Sequence, residues 1–353
     1  MTEQLALFAP AEPFPAQRRC AVAPAVPDAA TVALGRALPG RVYLGTSSWS
    51  FPGWAGIVYA RSESETVLAR AGLAAYSQHP VLRLAGIDRT FYGPVSADVL
   101  AAYAAQVPED FRFLLKAPAA VTDAVLRNER GAGSAANPRH LDAGFAAETF
   151  VLPALAGLGT KLGPLVFQFP PQGRQAVREP ARFAERLGRF LVELREALAR
   201  RGLRQPLLAV ELRDPELLTA ELGAALAASG ARYCFGVHAR MPSIAAQAAA
   251  IDTAPGPLVA RWNLHAGYGY EDAKARYAPF DRLVEEDPDT RAALARLVVA
   301  ALDAGQPVFV TANNKAEGCA PLSMVRLAEA IVAGLAAGKG GGPDRRGTPE
   351  AAR

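Results

Sequence analysis

The residues best suited to chemistry occupy a repeated position in this sequence, since each closes a short apolar run. Thr46-Ser47-Ser48-Trp49 ends the first run, and Asp88-Arg89-Thr90-Phe91-Tyr92 follows the second. Lys116 ends the third, Gln168 the fourth, and Glu211 with Arg213 the fifth. His238 and Arg240 follow the sixth, Arg261, Asn263 and His265 mark the seventh, and Asn313, Asn314 and Lys315 close the eighth. Arginine grips oxyanions in a bidentate fork, so Lys116, Arg213 and Arg261 suit an anionic ligand. Glu211 or Asp88 would act as general acid or base, with His265 as a proton shuttle. Ser48, Gln168, Asn313 and Asn314 would add hydrogen bonds, and Trp49 and Tyr92 would wall the pocket and stack on a planar group.

Each residue also has a plainer reading. Lys116 and Arg213 could be ion-pair partners of Asp88 and Glu211. Asn313-Asn314 could be a turn, and Gln168 could satisfy backbone groups at a strand end. His238 could be a core histidine, and the aromatic residues Trp49, Phe51, Trp54 and Tyr92 could be packing alone. If Glu211, Asp88, His238 and His265 converged they would form a mixed metal site, yet no H-x-x-x-H spacing supports one. Cations outnumber carboxylates at these positions, so the expectation is no bound metal and no organic cofactor.

The runs themselves read as eight strands, at 42–46, 81–87, 111–116, 165–169, 207–212, 233–237, 258–262 and 308–312. Helical spacing recurs at 66–77, 96–106, 181–201, 216–229, 289–304 and 322–336, and it is weakest between strands three and four and between six and seven. Pro180 suits a first helical turn, and Asp287 before Pro288 suits a cap. Strands alternating with helices predict a single-domain α/β (β/α)8 TIM-type barrel, whose strand ends meet at one mouth. The alternative, a doubly wound open sheet, would show a glycine-rich phosphate loop after strand one, and Gly45-Thr46-Ser47-Ser48-Trp49-Ser50 is not one. Long connections at 117–144 and 263–287 leave from the same end and suit loops that cover a site. The first carries Arg127, Arg130, Arg139 and His140, the second Tyr268, Tyr270, Lys274 and Arg276.

Of the 353 residues, 51% are hydrophobic and 20% charged, which supplies a large core and excludes wholesale disorder. A formal net charge of +4 is too mild for a dedicated nucleic-acid binder. Cys20, Cys234 and Cys319 form no disulfide framework or zinc ribbon. No apolar run reaches membrane-span length and no secretory signal is visible, so the expectation is a cytoplasmic protein without a membrane partner. Ala/Pro-rich residues 1–40 and Gly-rich residues 338–353 read as flexible tails around a barrel spanning 41–337.

Several segments resemble the YecE-like family, domain of unknown function 72. Gly45-Thr46-Ser47-Ser48-Trp49-Ser50-Phe51-Pro52-Gly53-Trp54-Ala55-Gly56 is similar to its G-T-S-x-W-x-x-P-x-W-x-G opening. Thr90-Phe91-Tyr92, Phe111-Arg112-Phe113-Leu114-Leu115-Lys116, Val210-Glu211-Leu212-Arg213 and Asn313-Asn314 resemble later signatures. Lys161-Leu162-Gly163-Pro164 and Gln168-Phe169-Pro170-Pro171 resemble the specific K-L-G-P…Q-x-P-P pair. The likeness covers about 41–335 and implies a TIM-type barrel but brings no reaction with it. The chain departs where the family carries Glu and Asn, having Gly86 and Asp88, and where it carries His, having Asp214. It also has Thr122-Asp123 for the family's T-H, and Arg261-Trp262-Asn263-Leu264-His265-Ala266 alters an R-x-H-G spacing. Separately, Gln4-Leu5-Ala6-Leu7-Phe8 resembles the short peptide by which bacterial proteins dock on the DNA sliding clamp, with Gln4, Leu5, Leu7 and Phe8 as the contacts.

Three functions fit this sequence. The first is an enzyme acting on an anionic, phosphate-bearing or similar substrate at the barrel mouth. The second is a metal-dependent hydrolase or nuclease in DNA maintenance, recruited by the clamp-like peptide. The third is a non-catalytic ligand-binding barrel.

Overall fold

Eight strands close a parallel barrel: β1 (Val42–Thr46), β2 (Leu82–Ile87), β3 (Arg112–Lys116), β4 (Leu162–Gln168), β5 (Leu208–Glu211), β6 (Arg232–Val237), β7 (Leu258–Trp262) and β8 (Val308–Ala312). Neighbours in sequence are neighbours in the wall, and β8 returns to pair with β1. The computed structural model describes residues 22–127, 133–251, 255–265 and 267–340. Closure rules out the open doubly wound sheet.

Period two sorts each strand between barrel interior and helix-facing surface. At the N-terminal end of the interior, Tyr43 stacks on Phe309 with ring centroids 4.9 Å apart. The Arg83 and Arg112 guanidinium groups each lie 5.3 Å from the Tyr43 ring and help close that end. A separate interior cluster of Leu84, Leu114, Val166, Ala209, Cys234, Val259 and Phe309 fills the middle. Two residues further along the same strands, the inward series becomes Gly86, Lys116, Gln168, Glu211, Gly236, Arg261 and Thr311. One step of the strand period therefore replaces an apolar layer by a polar one at the mouth.

The outward residues pack on the helices. The helix Pro180–Ala199 starts with proline in its first turn and buries Phe183, Leu187, Phe190, Leu191, Leu194 and Leu198 at helical spacing. Phe167 of β4 meets Phe190 edge-on at 5.4 Å. The Asp287 side chain caps the helix Pro288–Asp303 by accepting the Thr290 N–H at 3.0 Å. Lys161, first of the K-L-G-P residues, is structural. Its Nζ donates to the carbonyls of Ala104 and Val107 at 2.9 and 2.8 Å, at the C-terminal end of the helix Ala97–Ala104.

Four expectations need correction. The N-terminal tail does not extend to residue 40, because the helix Ala29–Ala37 is capped by Asp28. Val22 is buried, Leu34 and Leu38 pack on the core, and Ala25 and Ala60 form backbone bonds with Val58 and Ala23. At the other end the helix Ala320–Gly340 runs into the expected C-terminal tail. Both long connections carry structure. The first holds a short hairpin of Val125–Arg127 and Gly133–Ala136, and the second holds the helix Tyr270–Tyr277. Finally, Ala143–Lys161 and Ala320–Gly338 are long and apolar enough to cross a membrane by length and composition. Both lie on the barrel wall, where Ala154, Leu158, Met324, Leu327 and Ile331 are buried in the core. Arg130 and the clamp-like residues Gln4, Leu5, Leu7 and Phe8 lie outside the described residues.

Two outcomes test this packing. Removing residues 1–21 should leave the melting temperature within about 2 °C. Removing residues 1–38 should lower it by about 5 °C or more, because the buried Val22 and the core-packed Leu34 and Leu38 go with them. Lys161→Met should cost roughly 2–3 kcal/mol in denaturant unfolding, since it strips charged donors from two carbonyls. A cost near zero would place Lys161 outside the packing.

Candidate functional site

Glu211, the last residue of β5, is fully buried inside the barrel. Its Oε1 lies 2.6 Å from Arg213 Nη2 and accepts a hydrogen bond from Asn263 Nδ2 at 3.1 Å. Its Oε2 accepts from Arg261 Nη1 at 2.7 Å. Arg261 also reaches Asp88 Oδ1 at 3.2 Å through Nη2. Gln168 Oε1 stands between the arginines, 3.5 Å from Arg213 Nη2 and 3.4 Å from Arg261 Nη1. The register explains the meeting, because β4 aligns Gln168 with Glu211, and β6 aligns Gly236 with Arg261. A Cβ on Gly236 would come within 3.1 Å of Glu211 Oε1, so glycine leaves the carboxylate its space.

Burial pushes the Glu211 carboxyl up, but Arg213 and Arg261 outweigh it and hold the group below the ordinary glutamate range. Both Glu211 carboxylate oxygens are engaged and its side chain has no exposed surface. Asp88 is different. Its side chain is 39% exposed, and among the described residues Arg261 is its ion-pair partner. Burial lowers Lys116 to about 8, with the Arg261 and Arg213 charges adding to the shift while Asp88 and Glu211 oppose it. Its Nζ sits 3.5 Å from the centre of the Phe91 ring.

At the β8 end, Asn313 Nδ2 donates to Ser47 Oγ at 2.9 Å, and Lys315 Nζ lies 3.5 Å from Asn313 Oδ1. Lys315 Nζ also lies 3.9 Å from the Tyr270 ring centre, so the second long connection does reach the mouth. Tyr92 and Tyr270 are both about half exposed and lie on this rim, where Asp88 and Tyr270 act electrostatically on the Tyr92 hydroxyl.

The structure thus gathers Asp88, Lys116, Gln168, Glu211, Arg213, Arg261 and Asn313, with Tyr92 at the edge. Four other candidates are placed elsewhere. Ser48 bonds with Ser50 at 3.3 Å, and Ser47 is the serine that meets Asn313, as period two from Tyr43 and Gly45 required. Trp49 is buried against Tyr103, with centroids 5.2 Å apart, and packs the wall instead of lining the pocket. Asn314 Oδ1 accepts from Trp54 Nε1 at 3.1 Å and from the Ala320 N–H at 2.8 Å, which ties the first motif to the last helix. The His265 ring lies against Tyr268 at 5.4 Å, and its backbone N–H bonds to the Lys315 carbonyl. Asn263 and Lys315, legible beforehand only as strand-ending polar groups, belong to the site.

His238 is lowered to about 4 by burial and by Arg213, and its Nδ1 accepts the Arg240 N–H at 3.3 Å. Among the described residues no three His, Cys, Asp or Glu side chains gather as a metal site would require.

Among the solved structures that resemble this chain are two DUF72 family proteins, and at their level of identity the likeness shows the fold. A DUF72 family protein from Enterococcus faecalis is 16% identical with a TM-score of 0.55, covering 82% of this chain and 95% of its own. A DUF72 family protein from Thermotoga maritima is 20% identical with a TM-score of 0.52, covering 82% and 98%. No curated protein matches the chain. The model of the family described as protein of unknown function DUF72 matches residues 43–343, and the chain belongs to that family.

Proposed function

We propose that this protein is an enzyme that binds a small anionic substrate at the C-terminal mouth of its barrel. One observation carries the reading: two buried guanidinium groups share a single buried carboxylate. Arg213 Nη1 and Arg261 Nε have no hydrogen-bond partner among the described residues. Buried donors are costly to leave unpaired, and a carboxylate or phosphate oxygen would satisfy them. Charge supports the same reading. Among the described residues Lys116, Arg213 and Arg261 stand with two carboxylates, Asp88 and Glu211, so a ligand carrying negative charge would balance the cluster.

In this reading Arg213, Arg261 and Gln168 orient the anion, and Glu211 is a positioning residue that sets the two guanidinium planes. Asp88 is the acid or base, because it is the carboxylate at the mouth that meets solvent. Tyr92 and Tyr270 flank the entrance and would lie against the body of the substrate.

Calorimetry with inorganic phosphate, simple phosphate esters and short carboxylates tests the binding step. Arg213→Gln should weaken the best of these by about 10- to 100-fold, the equivalent of one lost charged contact. Arg213→Lys should recover part of that loss without restoring bidentate geometry. Affinity should also fall as pH rises through about 8, because Lys116 loses its proton and its attraction for the anion there. Undetectable binding of every anion by the folded wild-type protein would overturn the proposal. Binding without turnover of any bound ester or acid would leave a ligand-binding barrel in its place.

A further inference from the structure

Only five lysines occur in this chain, Lys116, Lys161, Lys274, Lys315 and Lys339, against 33 arginines. A sequence that meets its need for positive charge with arginine has kept lysine at the end of β3. Lys161 is committed to two helix-end carbonyls and Glu109, and Lys315 lies within reach of the Asn313 amide oxygen. The Lys116 side chain makes no hydrogen bond or ion pair among the described residues, although its carbonyl accepts from the Thr90 hydroxyl. The neighbouring carboxylates are already engaged, Glu211 by Arg213 and Arg261 and Asp88 by Arg261. The Lys116 Nζ rests instead on the face of Phe91. Arginine could supply charge at this position, but a guanidinium in a protein does not give up its proton, whereas a desolvated amine does.

We infer that Lys116 is a nucleophilic amine that forms an imine with the carbonyl carbon of an anionic aldehyde or ketone held by Arg213 and Arg261. This rests on the anion-binding reading above and narrows it to a substrate class. The neutral Nζ lone pair adds to the carbonyl carbon, and the carbonyl oxygen takes up a proton to become a hydroxyl. Nitrogen then loses one proton to give a carbinolamine. The hydroxyl takes one, the C–O bond breaks and water leaves a protonated imine, and loss of the second nitrogen proton gives the neutral imine. Atoms and charge balance without an oxidant or reductant. Asp88 is the carboxylate that Lys116 feels most strongly and the one open to solvent, so it is placed to accept and return these protons. A lowered lysine supplies neutral amine near physiological pH, the condition a lysine nucleophile needs.

The test is borohydride trapping on the full chain with two probes, pyruvate for a carboxylate and dihydroxyacetone phosphate for a phosphate. Reduction turns an imine into a stable secondary amine, which peptide mass mapping locates. The expected result is an adduct on Lys116 at least ten times more abundant than on exposed Lys274 with one probe, which also says which anion the arginines prefer. Its yield should rise as pH passes through about 8, opposite to the trend for simple anion binding. Lys116→Arg and Lys116→Met should abolish it, with unchanged melting temperatures showing that both variants fold. Adduct spread evenly over the lysines, or undiminished in Lys116→Arg, would overturn the inference. So would absent trapping while glycerol 3-phosphate or lactate still binds in calorimetry, and that outcome leaves the anion-binding reading standing. Absence of both binding and trapping would overturn the two together.

Discussion

One buried carboxylate organises the mouth of this barrel. Moving Glu211 out of water costs several kcal/mol unless the charge is paired and its lone pairs are satisfied. The chain meets that requirement with Arg213, Arg261 and Asn263 together. The consequence reaches beyond β5. Arg261 ties β7 to Asp88 after β2, and Gln168 brings in β4 through both guanidinium groups. Four strand ends thus converge on one charge. Removing Glu211 would leave two guanidinium groups buried without their shared partner, a costlier defect than the loss of one ion pair.

The rest of the barrel makes room for this arrangement and places an apolar layer beneath it. The interior below is apolar, with Leu114 beneath Lys116, Val166 beneath Gln168 and Cys234 beneath Gly236. Burial raises the Cys234 thiol well above its usual range, with Glu211 adding to the effect, so it packs as a small hydrophobe. Missing side chains at Gly236 and Gly86 widen the polar layer. A Cβ at Gly86 would come within 2.9 Å of the Ser47 carbonyl oxygen, on the segment that carries the serine paired with Asn313. The floor is therefore apolar while the opening stays polar, which strengthens each charge interaction at the mouth relative to bulk water.

Much of this was legible in the sequence for a physical reason. A barrel strand is a short apolar run with a polar end, so the eight strands and the common mouth follow from pattern alone, and strand bounds differ from the structure by three residues or fewer. Glu211, Arg213 and Gln168 were legible because period two carries interior positions directly into the site. Trp49 and Asn314 were not, because a residue just past a strand end leaves that period. The next turn then decides whether its side chain faces the axis or the wall. Ser48 fell to the same ambiguity, resolved by Ser47 continuing the inward series from Tyr43 and Gly45. The N-terminal helix was missed because Ala29–Ala37 has no fully buried residue and is held by partial packing and by the Asp28 cap.

The departures from the family pattern bear on what the site can hold. Where the resemblance carries a glutamate on β2, this chain has Gly86, an inward position in the layer of Lys116, Glu211 and Arg261. A glutamate there would add a third carboxylate to the mouth and bring the cluster nearer neutrality. Glycine omits that charge, and Asp88, standing where the family pattern has a neutral asparagine, returns one carboxylate two residues further along, at the half-exposed rim. The exchange leaves the deep part of the site with Arg213, Arg261 and Lys116 against Glu211 alone. In a poorly hydrated layer such an excess is expensive to maintain unless something else carries the balancing charge. Lys116 and Gln168 are partly exposed while Glu211, Arg213 and Arg261 are buried, and in the proposed reading the balancing charge enters with an anionic ligand or is offset by loss of a proton. Of the three cations Lys116 is the one able to release a proton, so in the proposed reading the same residue offsets the charge excess and supplies the reactive amine.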